Sequence, residues 1–112
     1  MRMPASRRGR RVVDMWIGWI ELDILLGDVH SLKEKRSILR PLLAGLSRRT
    51  EAAVAEVGHH ELHRRAVIGI SAVGGDSAHV RDVLDRAKQY VAEGHPEVTL
   101  LAARRGVHSS ED

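Results

Sequence analysis

Hydrophobic and polar positions alternate from Met15 to Leu26. Trp16, Gly18, Ile20, Leu22, Ile24 and Leu26 fall on one side of an extended chain, and Ile17, Trp19, Glu21, Asp23 and Leu25 on the other. Successive strand side chains point to opposite faces, so a solid apolar row backed by a row with two acids predicts a half-buried strand. Gly27-Asp28 ends it. Ser31-Leu-Lys-Glu34 then has the spacing of a capping box, in which the Ser hydroxyl accepts from the amide three residues on and the Glu answers it. Leu32, Leu39, Leu42, Leu43 and Leu46 give the following helix its apolar side. Arg48 and Arg49 suit its C-terminal end. Pro41 lies inside this helix and removes one of its N–H donors, so a kink between Ser37 and Pro41, or a helix in two pieces, is expected.

Glu51 to Val57 predicts a short strand and Gly58 to Arg64 a polar connection. Arg65 to Gly74 predicts a stronger strand, with Ala66, Ile68, Ile70 and Ala72 alternating against Val67, Gly69, Ser71 and Val73. Asp76 is a suitable N-cap. Val80, Val83, Leu84, Ala87 and Val91 form a helical stripe, which Gly94 and Pro96 bring to an end. Val98 to Ala103 is the last strand. The order β-α-β-β-α-β predicts an α+β, ferredoxin-like domain, with two helices on one face of a four-stranded antiparallel sheet. The domain is expected over 15–105, between a disordered Arg-rich extension over 1–14 and a flexible tail over 106–112.

Composition narrows the picture. A chain of 112 residues suits one domain with a single modest core. It has no Cys, which excludes a disulfide scaffold, a thiol nucleophile and a zinc site with Cys ligands. No apolar run is long enough to cross a bilayer, and a cytoplasmic location is expected. The net charge of +3 misleads, because five arginines lie within the first eleven residues. Between Val12 and His108 the chain carries 13 basic and 13 acidic residues, so the high isoelectric point belongs to an end segment. That segment reads as a basic arm for phosphates or as an inert extension ahead of Met15, a natural start for the domain. No apolar run follows its arginines, which argues against a secretory signal.

Three constellations bear on chemistry. His59-His60-Glu61-Leu62-His63 would put His59 and His63 at metal-sharing spacing on a helical turn, but no second cluster accompanies it, and a solvated connection is the plainer reading; no metal or cofactor is expected. Gly74-Gly75-Asp76-Ser77 lacks the Walker lysine, and Asp76 would repel a phosphate, so it reads as a turn and cap. Lys33, Arg36 and Arg40, at i, i+3 and i+7, line one side of the first helix. With Lys35 beside them and His30 ahead, they form a candidate phosphate-tracking stripe. On the uncovered sheet face, Trp19 with Ile17 is a candidate protein contact. RNA-reading sheets of this topology stack bases on paired aromatics, and this chain has no Phe and places Glu21 and Asp23 there.

The stretches Ile17-Gly-Trp-Ile-Glu-Leu-Asp23, His30-Ser-Leu-Lys-Glu-Lys-Arg36, Ala55-Glu-Val57 with His59, Glu61-Leu62, Arg65-Ala-Val-Ile-Gly69 and His95-Pro-Glu-Val98 resemble the YlxP-like family of small bacterial proteins. The likeness covers roughly Met15 to Arg104 and is most specific in the His30-to-Arg36 run. It implies a ferredoxin-like fold and carries no established enzymatic activity. Family genes commonly lie among those for transcription factor NusA, translation initiation factor two and ribosome-binding factor A, which implies a role near translation or ribosome assembly. The family motif falls on His30, Ser31, Leu32, Lys33, Lys35 and Arg36, and its second patch on Glu56, His59, Arg65 and Ala66. Gly58 stands where an Asp is usual and His63 where an aromatic is usual, so the three histidines are not a family signature.

Two functions are therefore expected in competition. The first is a non-enzymatic accessory protein of translation that binds ribosomal RNA or a ribosomal subunit through His30, Lys33, Lys35, Arg36 and Arg40. The second is a protein-interaction module or homodimer built on the sheet face around Ile17 and Trp19.

Overall fold

A computed structural model describes residues 13–112. Strand β1 spans Trp16–Leu26, helix α1 Leu32–Thr50, β2 Ala53–Gly58, β3 Arg65–Gly74, helix α2 Ser77–Gly94 and β4 Val98–Ser109. The strands make one antiparallel sheet in the order β2-β3-β1-β4. Both helices pack on one face, so the fold is ferredoxin-like.

The covered face holds the core. Ile20, Leu22, Ile24 and Leu26 of β1 and Ala66, Ile68, Ile70 and Ala72 of β3 are buried there. Above them lie Leu39, Leu42 and Leu46 of α1 and Val80, Val83, Leu84, Ala87 and Val91 of α2. Gly18 belongs to the same row of β1. A Cβ on it would collide with Val80 Cγ1 and stand 3.0 Å from Leu84 Cδ1, so its missing side chain lets α2 rest against the strand.

Both helices start where the capping residues predict. Ser31 Oγ accepts from the Glu34 amide at 3.1 Å, and Asp76 Oδ1 accepts from the His79 amide at 2.8 Å. Glu34 answers one residue earlier than the capping box expects, accepting from the His30 amide at 3.4 Å. The helix does not divide into two pieces at Pro41, and α1 runs unbroken for 19 residues. Pro41 and Ser37 are both exposed, so the Ser37 carbonyl that the proline deprives of a donor lies on the solvent side, where water can satisfy it.

Two boundaries differ from the expectation. Glu51 is the C-cap of α1, in the left-handed conformation at φ 58°, so β2 begins only at Ala53. The last strand does not stop at Ala103. Gly106 to Ser109 pair with Trp19 to Trp16, and Ser110 N donates to Met15 O at 2.7 Å. Asp112 then turns back and accepts from Ser109 N at 2.8 Å. Residues 106–109 of the stretch expected as a flexible tail are therefore part of the sheet. They are recruited because β1 is eleven residues long and would otherwise leave its first backbone groups unpaired. Residues 1–12 of the expected Arg-rich extension lie outside the described residues.

Candidate nucleic-acid interface

The outward side of α1 presents the stripe. Lys33, Arg36, Ser37, Arg40, Pro41, Ala44, Ser47 and Arg48 are all exposed, the pattern left when every third or fourth position faces out. Lys33, Arg36 and Arg40 have no ion pair or side-chain hydrogen bond among the described residues. The short side chains between them leave the cations as the ridge's most prominent groups. His30 stands beside the start of the helix, exposed, with its Nε2 2.8 Å from Asp28 Oδ1.

Lys35 does not belong to the stripe. Two residues from Lys33, it lies about 200° around the helix and points inward. Its side chain is 2% exposed, with Nζ 2.8 Å from Glu56 Oε2 and donating to His59 O at 2.8 Å and His60 O at 3.5 Å. Burial and this full set of partners withdraw it from any external phosphate. Glu56 Oε2 has no other partner, and its contact with Lys35 is ionic, without hydrogen-bond alignment.

The second patch divides in the same way. Glu56 is on the helix side of β2 and His59 follows at the turn, with φ 59°; both meet Lys35. Arg65 is on the opposite, uncovered face and forks onto Asp23, with Nη2 2.9 Å from Oδ1 and 2.8 Å from Oδ2. Lys35 thus joins the two motif stretches, while Arg65 stands apart. His59 to His63 form a turn rather than a helix. Among the described residues, no group of three or more His, Asp or Glu is placed to hold a metal ion.

Trp19 lies on the uncovered face, already covered on two sides. The Arg104 guanidinium sits 5.4 Å above its ring and pairs with Glu21 at 3.1 Å. Gly106 lies against the ring, where a Cβ would come 2.8 Å from Trp19 Nε1. Sequence reasoning missed Arg104 because it ended the last strand at Ala103, six residues before Ser109. Alternation from Val98 would put Arg104 on the helix side; a bulge at Leu101 shifts the phase, so that Arg104 falls on the Trp19 face and Arg105 on the helix side, where it meets Asp85 at 2.5 Å.

Residues 17–105 match the family described as "Protein of unknown function (DUF503)". The chain belongs to that family. It is 28% identical over 88 residues to "Uncharacterized protein YlxP" of Bacillus subtilis (strain 168), covering 79% of this chain and 95% of the relative. The YlxP-like resemblance is thereby borne out. A crystal structure of protein SO0527 from Shewanella oneidensis aligns over 83% of this chain and 90% of its own, at 17% identity and a TM-score of 0.41. The fold assignment rests on the strand order and register above. Among the described residues, no helix is long and apolar enough to cross a membrane.

Proposed function

We propose that this protein is a non-enzymatic, cytoplasmic accessory protein of bacterial translation or ribosome assembly that contacts RNA through Lys33, Arg36 and Arg40, with His30 at the ridge's end. One observation carries the reading: the two helices differ in the charge they turn to solvent. Exposed charges on α2 are mixed, with Arg81, Arg86 and Lys88 among Asp82, Asp85 and Glu93. Exposed charges on α1 are Lys33, Arg36, Arg40, Arg48 and Arg49 against Glu34 alone. A solvated face needs charge but not charge of one sign, and unpaired cations at helical spacing suit a phosphate backbone. Phosphate contacts position a protein without reading sequence. The occupied ring of Trp19 favours that mode over base stacking on the sheet.

Sedimentation with ribosomal subunits across a salt series tests the proposal. It compares the full chain, a form starting at Met15, and that form with Lys33→Glu, Arg36→Glu and Arg40→Glu. Co-sedimentation of the Met15 form, steeply weakened by salt and lost with the triple substitution, is the expected result. Binding by the full chain alone, or unchanged binding after charge reversal, overturns it.

A second reading is a homodimer through the uncovered face. Val57 and Val73 are 51% and 63% exposed on that face, and its acids Glu21 and Asp23 are already paired with Arg104 and Arg65. Two copies would meet there without like charges opposed. A strict monomer in analytical ultracentrifugation at high concentration removes this reading.

A further inference from the structure

At the far end of α1 from Lys35, a second group of cations encloses a space. Arg48 and Arg49 come from the last turn of α1, and His79 and Arg86 from α2 at positions that share one side of that helix. Together with the ends of β2 and β3 they line a basin of about 520 Å³, within the range of small-molecule sites. Ala72 and Val83, both buried, form part of its wall. Glu51 is the one carboxylate among the lining residues.

The arginines of α1 alone have a simple explanation, since cations complement the negative C-terminal end of a helix dipole. The α2 contribution does not. His79 lies in the first turn of α2, where the dipole disfavours added positive charge, and Arg86 lies at mid-helix, too far from either end for the dipole to favour it. That first turn contains no acid. Arg86 engages Asp82 through Nε at 3.0 Å, which leaves its two terminal nitrogens out of that contact. Arg49 is held over the Tyr90 ring at 5.2 Å, so it is positioned rather than loose. Arg48 and the His79 ring have no ion pair or side-chain hydrogen bond among the described residues. Three guanidinium groups and an imidazole from two helices thus converge on one space whose lining holds one carboxylate, Glu51, with Asp82 engaging Arg86 Nε from outside it. Guanidinium forks match phosphate oxygens in geometry as well as charge.

We infer that this basin binds the phosphate of a small phosphomonoester of nucleotide size. Its organic part lies against the Ala72 and Val83 wall. The inference is independent of the ridge formed by Lys33, Arg36 and Arg40.

The test is an amide NMR titration of the full chain with adenosine 5′-monophosphate, inorganic phosphate and adenosine as probes. The monophosphate is expected to shift the amides of Arg48 to Glu51, His79 and Arg86 at millimolar concentration. Inorganic phosphate is expected to compete at the same amides with lower affinity. Adenosine is expected to leave them in place. Arg48→Gln and Arg86→Gln should each weaken the monophosphate about tenfold, whereas Arg36→Gln should not. Both substituted side chains are exposed, so unchanged melting temperatures identify a loss of binding as local. No shift with either phosphate, equal shifts with adenosine, or full affinity after Arg86→Gln overturns the site. Inorganic phosphate binding as tightly as the monophosphate overturns the organic part of the assignment.

Discussion

Lys35 and Glu56 tie the first turns of α1 to the end of β2 through a 2.8 Å contact in which the lysine is almost wholly enclosed. Lys35 also donates to the His59 carbonyl, so one ammonium holds both the strand and the turn that follows it. Its neighbours Lys33 and Arg36 are exposed on the same helix.

Removing one member of that pair leaves the other charge without its partner. Lys35→Met is expected to destabilise the fold by about 3 kcal/mol, the lower end of the range for breaking a buried pair, because Glu56 keeps some contact with water. The double variant Lys35→Met with Glu56→Leu should recover most of that loss. Urea denaturation of the wild type, both single variants and the double variant measures the coupling.

The same contrast appears in RNA binding. Arg36→Gln should reduce the slope of log affinity against log salt by about 0.7–0.9, the value for one released counterion per phosphate contact. Lys35→Met, measured well below its unfolding midpoint, should leave the slope unchanged. Equal slopes for the two variants would contradict the assignment of the ridge.

Deleting residues 106–112 should lower stability by at least about 2 kcal/mol. The deletion removes the β4 partners of Trp16 to Trp19 and the partly buried Val107, and each lost backbone hydrogen bond contributes about 1 kcal/mol. A truncated chain that melts with the intact one would show that this pairing adds no stability.

Gly18→Val is expected to cost about 1–3 kcal/mol through overpacking against Val80 and Leu84. A drop in melting temperature of roughly 4–8 °C per kcal/mol is the measurable consequence for a domain of this size. Gly75→Ala, whose added Cβ meets nothing within 4 Å, is the control.

The topology was legible because each element carried its own period. Ile20 to Leu26 alternated, Val80 to Val91 followed helical spacing, and Ser31 and Asp76 marked the starts. What escaped was set by partners far along the chain. Arg105 to Ser109 has no run of alternating apolar residues, and it becomes strand because β1 extends beside it. Pro41 breaks a helix when its unpaired carbonyl is buried, and exposure at that position was not readable from the propensity of proline. At the ridge, spacing placed Lys33, Arg36 and Arg40 together. Lys35 was misread as exposed because its burial depends on Glu56, 21 positions away on another element.

The register Trp16↔Ser109 and Trp16↔Gly74 has a consequence for how the chain is made. β1 is synthesised first among the strands, yet it lies between β3 and β4 and pairs with neither until much of the chain has followed. Among the strands, β2 and β3 are the pair joined by a short connection, and β2 forms one edge of the sheet. Closing the β1–β4 ladder joins positions 72 to 93 residues apart, from Leu26↔Val98 to Trp16↔Ser109, and the entropy of that closure slows folding relative to proteins built on local contacts. β1 therefore waits for β4, and a nascent chain emerging from the ribosome keeps Ile20, Leu22 and Ile24 without their full cover until Val98–Ser109 has been made.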